Sequence, residues 1–123
     1  KRNEIAKYYD KFFKNQKNIK TLKISDNSQS AYHLYPLKIN FKKFQISKKV
    51  FFNKLMKHNI KLQVHYIPIY KQPFYKKKFK ISSKEFPNSE KFYNQEVSLP
   101  IFYSLEKKSQ NFIIKKIFSL LKI

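Results

Sequence analysis

Apolar residues recur at helical spacing at both ends of the chain and alternate with polar residues near its middle. In "NEIAKYYDKFF", Ile5, Tyr8 and Phe12 fall three to four positions apart, which predicts an amphipathic helix over residues 2–15. At the other end, "SQNFIIKKIFSLLKI" aligns Ile113, Ile114, Ile117, Phe118 and Leu121 on one stripe and predicts a closing helix. "SKKVFFNKLMKHN" predicts a third helix, with Ser47 as its cap and Phe52, Leu55 and Met56 on one face. Asn59 follows where a helix often ends on a left-handed residue. The chain contains no glycine, and Asn is the usual substitute there.

Strands come from the shorter period. Tyr32–Ile39 reads as a strand, and Pro36 inside it predicts an edge position or a bulge, because proline cannot donate to a ladder. The clearest alternation is Ile60, Leu62, Val64 and Tyr66 against Lys61, Gln63 and His65. It predicts a strand with one apolar and one polar face. Residues 68–85 read as a long loop holding Pro68 and Pro73, Phe86–Gln95 as a short helix, and Glu96–Pro100 as a short strand. The predicted order is α-β-α-β-α-β-α. This is an α+β layer, a short antiparallel sheet with helices packed on one face.

Composition bounds the picture. The 123 residues suffice for one domain with one core. No apolar run approaches the roughly 20 residues that span a bilayer, so no membrane partner is predicted. Cysteine is absent, which excludes a disulfide framework and a thiolate metal site and fits a cytoplasmic protein. The net charge of +21 suggests nucleic acid or an anionic surface. Yet Arg2 is the only arginine, and bidentate phosphate and base recognition favours guanidinium. The abundant residues, Lys, Asn, Ile, Phe and Tyr, belong to AT-rich codons. The charge is therefore read as mainly genomic, with a freestanding Lys-rich module for nucleic acid or an anionic surface as the alternative.

The usual catalytic constellations are missing. Without glycine there is no glycine-rich phosphate loop. His33, His58 and His65 have no metal-ligand spacing. His65 is the candidate worth weighing, because it ends the alternating run on its polar face, where "LQVHYIPIYKQPFY" becomes a loop. Pro68 and Pro73 restrict that loop, and Tyr66, Tyr70, Phe74 and Tyr75 offer flat surfaces with polar tips. The alternative is a packed loop whose rings close the core.

"LQVHYIPIYKQPFY", "FPNSEKFY" and "EVSLPIFYSLE", in this order, resemble the C-terminal part of DegT/StrS-type aminotransferases. "RNEIAKYYDKFF" is similar to the family's linking helix, and "AYHLYPLKI" to one of its strands. The resemblance implies a pyridoxal-phosphate-dependent enzyme that moves an amino group from glutamate to a nucleotide-linked keto sugar. The "HLYP" and "VHYIP…QPFY" patterns are similar to members that aminate a UDP-linked 4-keto-6-deoxy sugar in pseudaminic acid biosynthesis. It implies that residues 1–123 are the small C-terminal domain, with residues 1–15 as the linking helix. The Schiff-base lysine and most cofactor contacts then lie in an N-terminal domain, so no lysine here is catalytic. An intact homodimer is implied, with no specific nucleic acid or membrane partner. The segment His65, Tyr66, Ile67 and Pro68 is implied to contact the nucleotide sugar. Two departures stand out. Asn59 replaces a usual glycine, and Glu106 replaces a usual Ser or Thr cap, which weakens that helix start by roughly 0.5–2 kcal/mol.

Overall fold

A computed structural model describes residues 1–123. Helix α1 spans Arg2–Phe13. Strands β1 (Ile19–Thr21) and β2 (Tyr35–Ile39) follow, then α2 (Lys48–Met56). Two short helices, α3 (Pro73–Phe79) and α4 (Pro87–Gln95), precede β3 (Glu96–Leu99), and α5 (Lys107–Leu121) closes the chain. The antiparallel sheet runs in the order β1-β2-β3. This is the predicted α+β class, with helices against a short sheet.

The core lies between α1, α2 and α5 on one side and the Tyr35, Leu37 and Ile39 face of β2 on the other. From α1 it takes Ile5, Ala6, Tyr9 and Phe13, with Tyr8 and Phe12 at its margin. Tyr9 stacks obliquely on Tyr35 at 5.0 Å, and Phe13 meets Phe118 edge-on at 5.6 Å. Both buried phenols are bonded: Tyr9 donates to the Pro100 carbonyl at 3.1 Å and Tyr35 to Asp10 at 2.7 Å. Burial raises both pKa values far above the ordinary phenol, with Asp10 adding to the rise at Tyr35. Helix α5 buries the predicted Ile113, Ile114, Ile117 and Leu121, while Phe118 is only partly covered. Glu106 caps α5 without a side-chain bond, as its chemistry implies.

Several expectations need correction. In α2 the buried pair is Phe51 and Leu55, and Met56 is 51% exposed, so the inward stripe is one residue off the predicted one. Strand β1 is not among the predicted elements; at three residues it is too short to show a period. The run from Ile60 to Tyr66 is not a strand. Ile60 and Leu62 are buried, but pairing is confined to one bridge, Gln63 to Ser98. Tyr66 turns outward at 73% exposure. The predicted loop over 68–85 is mostly helical, because each proline opens a helix: Pro68 precedes the 3-10 turn Ile69–Lys71, and Pro73 occupies the first turn of α3.

Pro36 lies in the central strand, yet its ring costs no ladder bond. Ser98 exchanges its N–H and C=O with Gln63, at 2.9 and 3.2 Å, so the Pro36–Ser98 pair is of the non-hydrogen-bonded kind. The proline nitrogen therefore faces the β1 side, where β1 has already ended at Thr21 opposite Leu37. Locally it is an edge position.

Residues 66–95 form an arm held by local devices. Tyr70 stacks on Phe86 at 4.7 Å and donates to Glu90 at 2.8 Å, and Lys71 pairs with Glu90 at 2.7 Å. Ser82 and Glu85 form a capping box. Burial, reinforced by Glu90, pushes the Tyr70 phenol up to about 12. The bond from Lys71, helped by Tyr70, holds the Glu90 carboxyl below its ordinary 4.5.

Two outcomes are expected. Asn59 has φ 58°, and the bonds Ile60 N–H to Leu55 and Asn59 N–H to Met56 complete a Schellman motif around it. In urea unfolding, Asn59→Gly should be neutral or stabilising, and Asn59→Val should cost about 1–2 kcal/mol. Equal effects would remove the left-handed requirement. Because the folded Glu90 pKa is depressed, its stabilisation is present above pH 4.5 and fades as pH falls through the lower folded value. Tyr70 and Phe86 ring NMR shifts should therefore change in acid in the native chain and stay flat in Glu90→Gln. Parallel acid curves for the two proteins would rule this out.

Candidate functional site

The site is built where the core ends and the arm begins. Leu62 anchors the approach in the core, and Gln63 locks it to β3. Two residues later His65 meets the polar face of that strand. Val97 and Leu99 point into the core, so Glu96 and Ser98 point the other way, opposite Lys38 and Pro36 of β2. Both are nonetheless buried, Glu96 at 1% exposure and Ser98 at 3%.

The His65 backbone N–H donates to Glu96 Oε2 at 3.1 Å. Ser98 Oγ donates to Glu96 Oε1 at 2.7 Å, and His65 Nδ1 lies 2.9 Å from the same Oγ. The imidazole is thus half-buried on hydrogen bonds, not sunk in the hydrophobic interior. Glu96 forms no salt bridge; the two in the chain are Lys1–Glu4 and Lys71–Glu90. Lys48, at the start of α2, stands near enough to feel its charge. Burial lowers the Lys48 pKa and Glu96 opposes the drop. Lys48 Nζ donates to the Tyr93 carbonyl at 2.6 Å and rests 5.1 Å from the Tyr93 ring.

The four predicted site residues part company in space. His65 turns to β3, and the Tyr66 ring meets it edge-on at 4.7 Å. Ile67 is 50% exposed. Tyr66 and Pro68 line a cleft of about 540 Å³ with Ile69, Tyr70, Phe86 and Phe92. A larger cavity of about 700 Å³ takes in Ser98 together with His33, His58, Gln63 and Phe102. No cluster of three His, Cys, Asp or Glu is placed to hold a metal. Reading the sequence missed Glu96 and Ser98, which looked like ordinary strand residues. The available signal was an acid inside an "EVSLP" strand in a chain with only seven acids.

Arg2, the one guanidinium, donates to the carbonyls of Tyr32 and His33 at 3.1 and 2.9 Å and pins the chain ahead of β2. No helix is long and apolar enough to cross a membrane.

Comparison with known proteins gives this geometry a lineage. A model of the DegT/DnrJ/EryC1/StrS aminotransferase family matches residues 1–118. The UDP-4-amino-4,6-dideoxy-N-acetyl-beta-L-altrosamine transaminase of Campylobacter jejuni is 37% identical over 122 residues, covering 99% of this chain and 32% of its own length. Its Helicobacter pylori namesake is 36% identical over 109 residues, 89% of this chain and 28% of its own. Among solved structures, Helicobacter pylori PseC, an aminotransferase involved in the biosynthesis of pseudoaminic acid, superposes with a TM-score of 0.87. That match is 32% identical and covers 98% of this chain and 32% of PseC. The chain spans about a third of the length of the curated relatives it matches. It belongs to the DegT/DnrJ/EryC1/StrS aminotransferase family.

Proposed function

We propose that residues 1–123 are the small C-terminal domain of a pyridoxal-phosphate-dependent aminotransferase, with residues 1–15 as the linking helix. The intact enzyme transfers an amino group from glutamate to a UDP-linked 4-keto-6-deoxy sugar and works as a cytoplasmic homodimer. The observation that carries this is the match to the two altrosamine transaminases, 36–37% identical over 89–99% of this chain.

The residues present do not fit pyridoxal phosphate by themselves. No lysine is fully buried, and among the half-buried ones Lys48 is committed to Tyr93 and Lys71 to Glu90. Arg2 is committed to backbone carbonyls, and no glycine-rich loop exists to cradle a phosphate. The cofactor's contacts therefore belong to the rest of the enzyme. This domain's task is positioning, with His65, Tyr66, Ile67 and Pro68 as one wall against the nucleotide sugar. His65 is fit for it, because β3 fixes both its backbone and its ring. Exposed Tyr66 and Ile67 add flat apolar surface beside it.

A chimera tests the reading. This chain replaces the matching third of the Campylobacter jejuni transaminase. The chimera is expected to aminate its UDP-keto sugar, and His65→Ala should raise KM or lower kcat about tenfold or more while cofactor absorbance persists. Native kinetics in that variant would take His65 out of the site. The 123-residue chain alone, treated with pyridoxal phosphate and borohydride, should retain no cofactor at a single lysine. Stoichiometric labelling of one lysine would contradict the assignment of cofactor chemistry to the rest of the enzyme.

A further inference from the structure

We propose that Glu96 and Ser98 are positioning residues that fix His65 as its Nδ1–H tautomer, so that Nε2 accepts a hydrogen bond from a neutral donor on the substrate, a sugar hydroxyl or an amide N–H. The ligand half of this rests on the function proposed above; the tautomer half does not.

The direction of each bond follows from counting hydrogens. Glu96 as a carboxylate brings acceptors only. One carboxylate oxygen takes the His65 backbone N–H, and the other takes the Ser98 hydroxyl hydrogen. Ser98 has no second hydrogen. The 2.9 Å contact to Nδ1 must therefore run from the ring N–H to Oγ. In the neutral imidazole this leaves the lone pair on Nε2.

Nε2 bonds nothing in the chain. Every buried side-chain nitrogen and oxygen has a partner, so Nε2 must be open to solvent. The ring is thus held at one nitrogen and free at the other. A lone pair needs a partner that carries hydrogen. The fully ionised oxygens of a diphosphate carry none, whereas a sugar offers hydroxyls and, if N-acetylated, an amide N–H. His65 accordingly reads the sugar and not the diphosphate. The Tyr66 ring, edge-on at 4.7 Å, limits rotation of the imidazole about this axis.

Two measurements separate the halves. Long-range nitrogen–proton NMR on the full 123-residue chain at about pH 8, above the ordinary histidine range of about 6.5, reads the tautomer directly. A pyrrole-like Nδ1 and a pyridine-like Nε2 are expected in the native chain and in Ser98→Thr, which keeps a hydroxyl. Ser98→Ala should shift the ring toward Nε2–H. An Nε2–H ring in the native chain overturns the proposal whether or not Ser98→Ala folds, as does an unchanged tautomer in folded Ser98→Ala.

The ligand half is read in the chimera. His65→Leu should raise KM for the UDP-keto sugar roughly tenfold. His65→Gln, whose carbonyl supplies an acceptor at similar reach, should hold it within about threefold. If Gln is no better than Leu at equal cofactor loading, the acceptor role is lost while the tautomer result stands. If both variants keep native kinetics, the placement of His65 against substrate fails instead.

Discussion

Ser98 is the residue on which the site depends, because it is used on two axes at once. Its backbone is committed sideways to Gln63, and its hydroxyl is committed outward to Glu96 and His65. The first commitment turns a segment with no other ladder bond into a defined edge of the sheet. It also permits Pro36 in the central strand, since a residue paired with Ser98 needs no N–H toward β3. The second commitment gives a nearly inaccessible carboxylate the donors it needs. A carboxylate buried without donors is costly enough to disrupt the fold, so the strand face tolerates Glu96 only with its partners in place. Structure and site are therefore coupled: the group that orients the imidazole also satisfies the buried acid.

The acids as a whole follow this logic. The chain has 28 basic residues and seven acidic ones, and self-repulsion among the lysines acts against compaction. Few of the acids sit as loose counter-ions on the surface. Asp10 accepts from Tyr35, Glu85 completes a capping box, Glu90 ties Tyr70 and Lys71 together, and Glu96 holds His65 and Ser98. Asp10, Glu90 and Glu96 thus make their bonds in partly or fully shielded places, where a charged acceptor is strongest, while Glu85 makes its bond at the surface. The lysines remain mostly exposed, with their ammonium heads in water.

The sequence made legible whatever a period or a local rule dictates. Helix α5 shows its buried stripe because 15 residues repeat the pattern several times. Ser47 and Asn59 were readable because cap and left-handed positions demand particular side chains. Strand β1 was not readable, since three residues exist as a strand only through pairing with β2. The alternation from Ile60 to Tyr66 promised more than it delivered. Its first half is set by burial of Ile60 and Leu62, and beyond Val64 the core has ended, so nothing enforces the period. The family motifs pointed to His65 as a site residue. Its partners stayed hidden because they lie more than 30 positions away, and no local pattern links Ser98 to His65.

The two prolines of the stretch 68–85 have a physical role. Pro68 and Pro73 start helical turns, and Pro87 does the same for α4, so the arm is ordered by fixed backbone angles rather than by a core of its own. A capping box, an ion pair and a ring stack add to this local ordering, and the Lys48 bond to the Tyr93 carbonyl ties the arm's end to α2. His65 is held differently, by β3. Its backbone N–H is the last bond tying the approach to β3 before the arm departs. The imidazole thus stands at the final anchored position, held by Ser98, with exposed Tyr66 and Ile67 immediately beyond it.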